Sequence, residues 1–327
     1  MAGSGDCHLR GREDAVLRVE GLVVEFPAGK KRVVHAVSDV SFDLLPGETL
    51  GVVGESGCGK TTTGRAVMQL ERPTSGRVVL DGTDLAPLTG EQLRRARRHM
   101  QMIFQDPVSS LNPSRRVRDL VREGLDIWGD EPGPWSQSRI DDIMAAVGLD
   151  PVTAGDRRPH EFSGGQCQRI CIARALVMDP SVLILDEPVS ALDVSVQAQI
   201  LNLLEELKQS FGLTMLFVSH DLAVVKNISD RVMVMYLGKA CEVATADPVF
   251  GAPAHPYPRA LRASSPGHAL DLPPAAERIS GELPSPIDPP SGCRFRTRCP
   301  LATDICALSE PELRVVADGQ SVACHHA

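Results

Sequence analysis

Residues Gly54-Glu55-Ser56-Gly57-Cys58-Gly59-Lys60-Thr61 fit the pattern G-x-x-x-x-G-K-[ST]. They stand between an apolar run, Thr49-Leu50-Gly51-Val52-Val53, and a helical pattern. Strand, glycine-rich loop and helix in that order predict a phosphate-binding loop in an α/β fold. Glycines let the backbone curl until its N–H groups face inward, and the helix that follows adds its positive end. Lys60 is then expected to reach the β- and γ-phosphates of a nucleotide. Thr61 is expected to ligate Mg²⁺ through its hydroxyl, with Thr62 beside it in the contact set. The competing reading is a glycine turn that caps a helix, and strand, loop and helix in that order weigh against it.

Two further apolar runs end in polar residues: Val182-Leu183-Ile184-Leu185 before Asp186-Glu187, and Leu213-Thr214-Met215-Leu216-Phe217-Val218 before Ser219-His220-Asp221. In open parallel sheets ligands bind beyond the carboxyl ends of the strands, so these clusters are expected to belong with the loop. Asp186, at a strand end, suits Mg²⁺; Glu187, pointing differently, suits polarisation of an attacking water. A helix N-cap before Pro188 is the bland alternative for the pair.

Between residues 16 and 242 short β-rich runs alternate with helical patterns, which predicts an α/β domain with a largely parallel sheet. Val196, Ile200, Leu203, Leu204, Leu207 and Phe211 follow helical spacing, and Gly212 is placed to stop that helix. Residues 117–178 read as mostly helical. The expected domains are a loose N-terminal tail over 1–15, a nucleotide-binding domain over 16–250 with a helical subdomain at about 100–178, and an extension over 251–327. Pro253, Pro256, Pro258, Pro266, Pro273, Pro274, Pro284, Pro286, Pro289 and Pro290 break any long element in that extension.

A formal net charge of -8 gives no global basic field to attract nucleic-acid phosphates. Arg94, Arg95, Arg97 and Arg98 form a local basic run, read as a solvated helix face. No run approaches the roughly 18 apolar residues of a membrane-spanning helix. Asp6, Arg10, Arg12, Glu13 and Asp14 leave no apolar leader region near the first residue. The expectation is a cytoplasmic chain, unless a partner holds it at a membrane.

Phe162-Ser163-Gly164-Gly165-Gln166 resembles the signature sequence of the ABC ATPases. Gln105 in Ile103-Phe104-Gln105-Asp106-Pro107, Ser190-Ala191-Leu192-Asp193 and His220 match further motifs of that family, in order, over about 170 residues. The resemblance implies a phosphate-loop NTPase core of ABC type with an inserted helical signature subdomain. It implies ATP and Mg²⁺ as ligands, with Thr61, Gln105 and Asp186 at the metal. It also implies two cassettes facing head to tail, so that Ser163, Gly164, Gly165 and Gln166 meet the nucleotide of the partner cassette. Glu187 and His220 take catalytic roles, His220 at the γ-phosphate in cis, and Gln105 reports nucleotide state to membrane subunits. The sequence departs from the family in opening the signature with Phe162 and in placing Cys167 where a polar residue is usual. Where relatives stack an aromatic residue on adenine, this chain reads Lys30-Lys31-Arg32-Val33-Val34, with Phe26 slightly too early, so loose base selectivity is expected.

Ser110-Leu111-Asn112-Pro113, His255-Pro256-Tyr257 with Arg259-Ala260-Leu261, and Gly292-Cys293-Arg294-Phe295 with Arg298-Cys299-Pro300 resemble the ATPases of dipeptide and oligopeptide importers. That branch implies two membrane permeases, an extracytoplasmic substrate-binding protein, a second and paralogous ATPase chain, and a place on the cytoplasmic membrane face. With the acidic net charge, no nucleic-acid partner is expected. Nickel and glutathione importers share the architecture and remain alternatives for the cargo. A soluble ABC ATPase and a redox-sensing ATPase are alternatives of another class. Cys293, Cys299, Cys306 and Cys324 are spaced C-x5-C-x6-C-x17-C in a proline-rich stretch with little core of its own. Four thiolates suit an iron–sulfur cluster or Zn²⁺, though the spacings are wider than in zinc ribbons. The resemblance implies a [4Fe–4S] cluster, with zinc or free thiols as the other readings. Cys7, Cys58, Cys167, Cys171 and Cys241 read as small core or loop residues.

Overall fold

The computed structural model describes residues 5–11, 13–29, 32–128, 137–263 and 281–327. Pro266, Pro273, Pro274, Arg12, Lys30 and Lys31 lie outside the described residues. Along the chain the elements are β1 (Leu17–Pro27), β2 (Val33–Leu44), β3 (Thr49–Val53), α1 (Lys60–Val67), β4 (Ser75–Leu80) and β5 (Thr83–Asp84). Then come α2 (Gly90–Arg98), β6 (Met100–Ile103), α3 (Val117–Ile127), α4 (Gln137–Ala146), α5 (Pro151–Ala154), a 3₁₀ turn (Pro159–Glu161), α6 (Gly164–Leu176), β7 (Val182–Asp186) and α7 (Val194–Phe211). The remainder is β8 (Thr214–Ser219), α8 (Leu222–Ile228), β9 (Arg231–Tyr236), β10 (Lys239–Thr245), α9 (Ala246–Gly251), α10 (Pro256–Ala263), α11 (Asp304–Leu308), β11 (Arg314–Ala317) and β12 (Gln320–Val322).

The chain divides into two compact units, residues 1–88 with 216–327, and residues 89–215. In the first unit β11, β12, β10, β9, β3 and β8 are neighbours in that order, and β2, β1, β4 and β5 form a separate sheet. β3 pairs parallel with β9, but β9–β10, β10–β12 and β11–β12 are antiparallel, as is every pair of the smaller sheet. The expectation of a largely parallel sheet therefore holds for β3 with β9 here and for β6 with β7 in the second unit, but not for the strands that follow β9 or for the smaller sheet. β3 is fully buried over its five residues, and Leu50, Val52 and Val53 have no exposed surface. Each such aliphatic side chain contributes about 1.5–3 kcal/mol by leaving water, which fixes the strand from which the loop departs.

Two expected boundaries change. Residues 5–11 are not a loose tail, because they are hydrogen-bonded to the core. His8 Nε2 lies 2.8 Å from the Ser41 carbonyl and Arg10 Nε 2.8 Å from Asp43. Asp43 has no exposed surface and also receives Arg231 at 3.1 Å. Burial alone pushes the Asp43 carboxyl up, but Arg10 and Arg231 outweigh it and hold it below the usual carboxylate range. An unpaired carboxylate there would be costly, so the arginines order the segment. The extension is likewise no separate body: β12 pairs with β10, in register Glu242↔Val322, Val243↔Ser321 and Ala244↔Gln320.

In the second unit β6 pairs parallel with β7. Residues 117–178 are mostly helical, as their pattern predicts: they carry α3, α4, α5 and α6, with α3 packed on α6. α7 runs as its spacing predicts: Asp193 caps its start, accepting from Val196 N at 3.0 Å, and Gly212, at φ 63°, ends it. The basic run lies on α2. Arg94 and Arg95 pair with Glu91, and Arg94 stacks 4.1 Å above the Trp128 ring.

Candidate functional site

The glycine-rich loop leaves β3 at Gly54 and enters α1 at Lys60. Gly57 has φ 79° and Gly59 φ 102°, a region that side-chain-bearing residues rarely enter. Space selects glycine as well. A Cβ on Gly54 would lie 2.1 Å from the Met235 carbonyl oxygen, and one on Gly59 2.2 Å from that of Ala36. Lys60 is buried, and its Nζ donates to the carbonyls of Gly54 at 2.7 Å and Glu55 at 3.0 Å. Thr63 is a residue the pattern did not single out; its hydroxyl donates to the Gly59 carbonyl at 3.0 Å. Thr61 and Thr62 are half-buried on the first turn of α1, and Ser56 lies between Glu55 and Gly57 on the loop. Cys58 is buried and burial raises its thiol pKa, so it is an inert packing residue.

β8, the neighbour of β3 in this unit, ends at Ser219. His220 follows, exposed, and Asp221 caps α8 by accepting from Ala223 N at 2.8 Å. The structure thus places His220 on a strand end adjacent to the strand that feeds the loop.

In the second unit β7 is wholly buried and Asp186, at its last position, is 3% exposed. Glu187 turns the chain away with φ 49°, a left-handed conformation for a residue with a long side chain. Such conformations cost of order 1–3 kcal/mol and persist where surroundings impose them. Here the Glu187 carbonyl accepts from Ser190 N at 3.2 Å and Ser190 Oγ at 3.0 Å, while its carboxylate accepts from Gln105 Nε2 at 3.3 Å. The structure brings Gln105 and Glu187 together. Gln197 was not expected: its amide donates to the carbonyls of Val189 at 2.9 Å and Leu192 at 3.0 Å, fixing the Ser190–Asp193 turn. A lone glutamine on an amphipathic helix carries no sequence signal for that.

Ser163 is the N-cap of α6 and forms a capping box with Gln166. Its hydroxyl accepts from Gln166 N at 3.4 Å, and Gln166 Oε1 accepts from Ser163 N at 3.0 Å. Ser163 and Gly164 are exposed at the helix start. Gly165 is buried, and a Cβ there would lie 2.5 Å from Val196 Cγ1, so the position leaves room only for glycine. The turn therefore offers backbone N–H groups and the positive end of a 13-residue helix to solvent. Arg157 lies 4.4 Å from the Phe162 ring, so the unusual Phe162 stacks on a cation.

The four late cysteines lie in the extension of the first unit. Cys293, Cys299, Cys306 and Cys324 lie within electrostatic reach of one another, and burial pushes the Cys293 thiol up to about 11. Cys306 Sγ lies 3.6 Å from His326 Nε2, and Cys324 Sγ accepts from His326 N at 3.4 Å. Among the described residues, no three His, Cys, Asp or Glu side chains gather closely enough to hold a metal ion. The thiols are thus neighbours that do not close round one ion. Among the described residues, no helix is long and apolar enough to cross a membrane.

Comparison with known proteins agrees with this geometry. Residues 37–190 match the family described as "ABC transporter", and residues 241–306 match "Oligopeptide/dipeptide transporter, C-terminal region". The chain is 48% identical over 312 residues to a putative peptide import ATP-binding protein of Brucella ovis, covering 95% of this chain and 98% of that one. It is 50% identical over 295 residues to the oligopeptide transport ATP-binding protein AppF of Bacillus subtilis, covering 89% of each. Among solved structures, cbiO1 of Clostridium perfringens, part of the ABC transporter complex cbiONQ, superposes with a TM-score of 0.65 at 29% identity, covering 73% of this chain and 92% of that one. The cassette MJ0796, in a dimeric post-hydrolysis state bound to ADP and Pi, gives 0.62 at 25% identity over 70% of this chain and 98% of that one. The chain belongs to the ABC transporter family and, within it, to the ATP-hydrolysing subunits of oligopeptide and dipeptide importers.

Proposed function

We propose that Lys60 and the N–H groups of the Gly54–Thr61 loop bind the β- and γ-phosphates of ATP, and that Glu187 polarises the attacking water. Thr61, Gln105 and Asp186 would hold Mg²⁺, which supplies charge neutralisation at the transferring phosphoryl group. Their hydroxyl, amide and carboxylate oxygens are the hard donors that ion takes. His220 contacts the γ-phosphate, and Ser163, Gly164, Gly165 and Gln166 serve the nucleotide held by a second cassette. The observation that carries this reading is the phosphate loop itself, with left-handed Gly57 and Gly59 and a buried lysine at the start of α1.

The second cassette is proposed to be a paralogous chain, because peptide importers often pair two different ATPases. Two permeases at the cytoplasmic membrane face and an extracytoplasmic binding protein complete the assembly. Phe104 and Val108, 37% and 56% exposed beside Gln105, give the second unit an apolar surface that suits permease docking. The four late cysteines, sharing one neighbourhood, are proposed as the thiolate set of a [4Fe–4S] cluster. Anaerobic preparation with iron and sulfide assay tests this, and a colourless, metal-free chain would overturn it.

The hydrolysis reading is tested by ATP turnover of the chain with its permeases, wild type against Glu187→Gln. Removing a positioned general base costs about 10²–10⁴-fold in rate, so turnover is expected to fall at least about 100-fold with ATP still bound. Turnover that survives the substitution would remove Glu187 from the mechanism.

A further inference from the structure

The extension reaches the phosphate loop directly. Arg298 donates to Glu55 through two bonds, NH1 to Oε2 at 2.7 Å and NH2 to Oε1 at 3.0 Å. The Tyr257 hydroxyl accepts from the Glu55 backbone N–H at 2.9 Å. Glu55 is the second residue of the loop, so the extension holds both its side chain and its backbone. A second route runs through the turn between β9 and β10, where Leu237 and Gly238 both have positive φ, 45° and 81°. Arg294 donates to the Leu237 carbonyl and, at 2.9 Å, to the Ser38 hydroxyl. Gly238 N in turn donates to the Cys58 carbonyl at 2.8 Å.

These contacts are made by stiff, buried groups. Arg298 has 9% of its side chain exposed. Tyr236, Tyr257 and Phe295 pack edge to face or tilted, with centroids 4.8, 5.1 and 5.3 Å apart, and all three are buried. A bidentate, charge-assisted pair on such a base fixes position and direction together. A surface ion pair between flexible side chains would do neither. Cys58 N also donates to the Glu55 carbonyl at 3.3 Å, so the two loop residues that the extension reaches are tied to each other.

We propose that Arg298 and Tyr257 are positioning residues for ATP binding: the C-terminal extension acts as an outer brace that sets the conformation of the phosphate loop through Glu55. The proposal rests on the reading of that loop as the ATP site. It gives the cysteine-bearing segment a mechanical link to the nucleotide, because Arg294 and Arg298 adjoin Cys293 and Cys299 in sequence.

The test is ATP affinity of the full chain by equilibrium binding, together with KM and kcat of the permease complex. The variants are Arg298→Ala, Arg298→Lys, Glu55→Ala, the Arg298→Ala/Glu55→Ala double variant and Tyr257→Phe. Arg298→Ala is expected to weaken ATP binding by about ten-fold, the scale of one charge-assisted pair, with kcat at saturation changed far less. Arg298→Lys keeps the charge but not the fork and is expected to fall between. The double variant should be no weaker than either single variant, since both remove one interaction. Tyr257→Phe removes only a hydroxyl from an intact aromatic cluster and is expected to weaken binding by a few-fold. It keeps the proposal falsifiable if Arg298→Ala does not fold. Wild-type affinity in Arg298→Ala or Tyr257→Phe, or multiplicative losses in the double variant, would overturn the brace while leaving the ATP site standing. A wild-type chain that binds no ATP would overturn both.

Discussion

At the scale of single residues, the site stores strain where chemistry is proposed. Glu187 holds φ 49° because Ser190 twice engages its carbonyl and Gln105 its side chain. Glycine adopts that conformation without penalty, so Glu187→Gly is expected to raise unfolding stability by about 1 kcal/mol while abolishing turnover. Denaturant titration beside an ATPase assay checks this, and a destabilised variant would show that the conformation carries no strain. Stability and activity moving in opposite directions is the signature of a residue kept for chemistry. Glu187 was readable from its place after an apolar strand and Asp186. Its backbone strain was not, because φ is imposed by the turn that follows. Arg298 and Tyr257 escaped for another reason: they stand more than 200 positions from Glu55, and nothing local marks a long-range hydrogen bond.

At the scale of elements, legibility followed local periodicity. β3, β7, β8 and α7 were visible as apolar runs or helical spacing. β1 was not, since its alternation breaks: the register with β2 shifts between Val19 and Leu22, where Gly21 has φ 58°. A bulge moves later residues to the other face, and the period-2 signal cancels. Between β10 and the start of α10 the fold gathers buried ionisable groups that local periodicity does not mark. Glu242 has no exposed surface and accepts from His255 N at 2.8 Å and Gln320 Nε2 at 2.7 Å. His255 Nδ1 accepts from Tyr257 N at 3.0 Å, and burial, helped by Arg259, lowers the ring to about 3 from an ordinary 6.5. Between those values the unfolded chain binds a proton that the folded chain refuses, so this contribution is present above pH 6.5 and is lost as pH falls toward 3. At pH 5 the loss amounts to about 2 kcal/mol. His255→Asn keeps an acceptor for Tyr257 N but cannot protonate, so its stability is expected to fall less steeply from pH 7 to pH 5, by that amount. Urea unfolding at the two pH values measures the difference, and equal slopes would reject the assignment. Glu242, raised by burial, acts with opposite sign above the carboxylate range, and Glu242 is unchanged in the comparison.

At the scale of the whole molecule, the change of composition after Phe250 suggested an appendage, and the structure makes it part of the first unit. Composition reports how a segment is built, proline-rich and short of regular structure, but not what it is packed against. β12 covers the edge of β10, Gln320 and the backbone of residues 254 and 255 satisfy Glu242, and Tyr257, Phe295 and Val322 are buried at 2% exposure or less. Removing residues 251–327 would uncover an unpaired strand edge and the apolar faces of Tyr236 and Val243. Three large buried side chains at about 1.5–3 kcal/mol each already sum to roughly 5–9 kcal/mol, comparable to the whole stability of an ordinary domain. A chain truncated after Phe250 is therefore expected to aggregate or to melt without a cooperative transition, even though the phosphate loop, Asp186, Glu187 and the Ser163 turn all remain. Calorimetry and circular dichroism of the truncated chain decide the matter. A fragment that melts as cooperatively as the full chain and binds ATP equally well would mean that the extension is an accessory. Loss of folding would mean that the extension completes the core beside the phosphate loop.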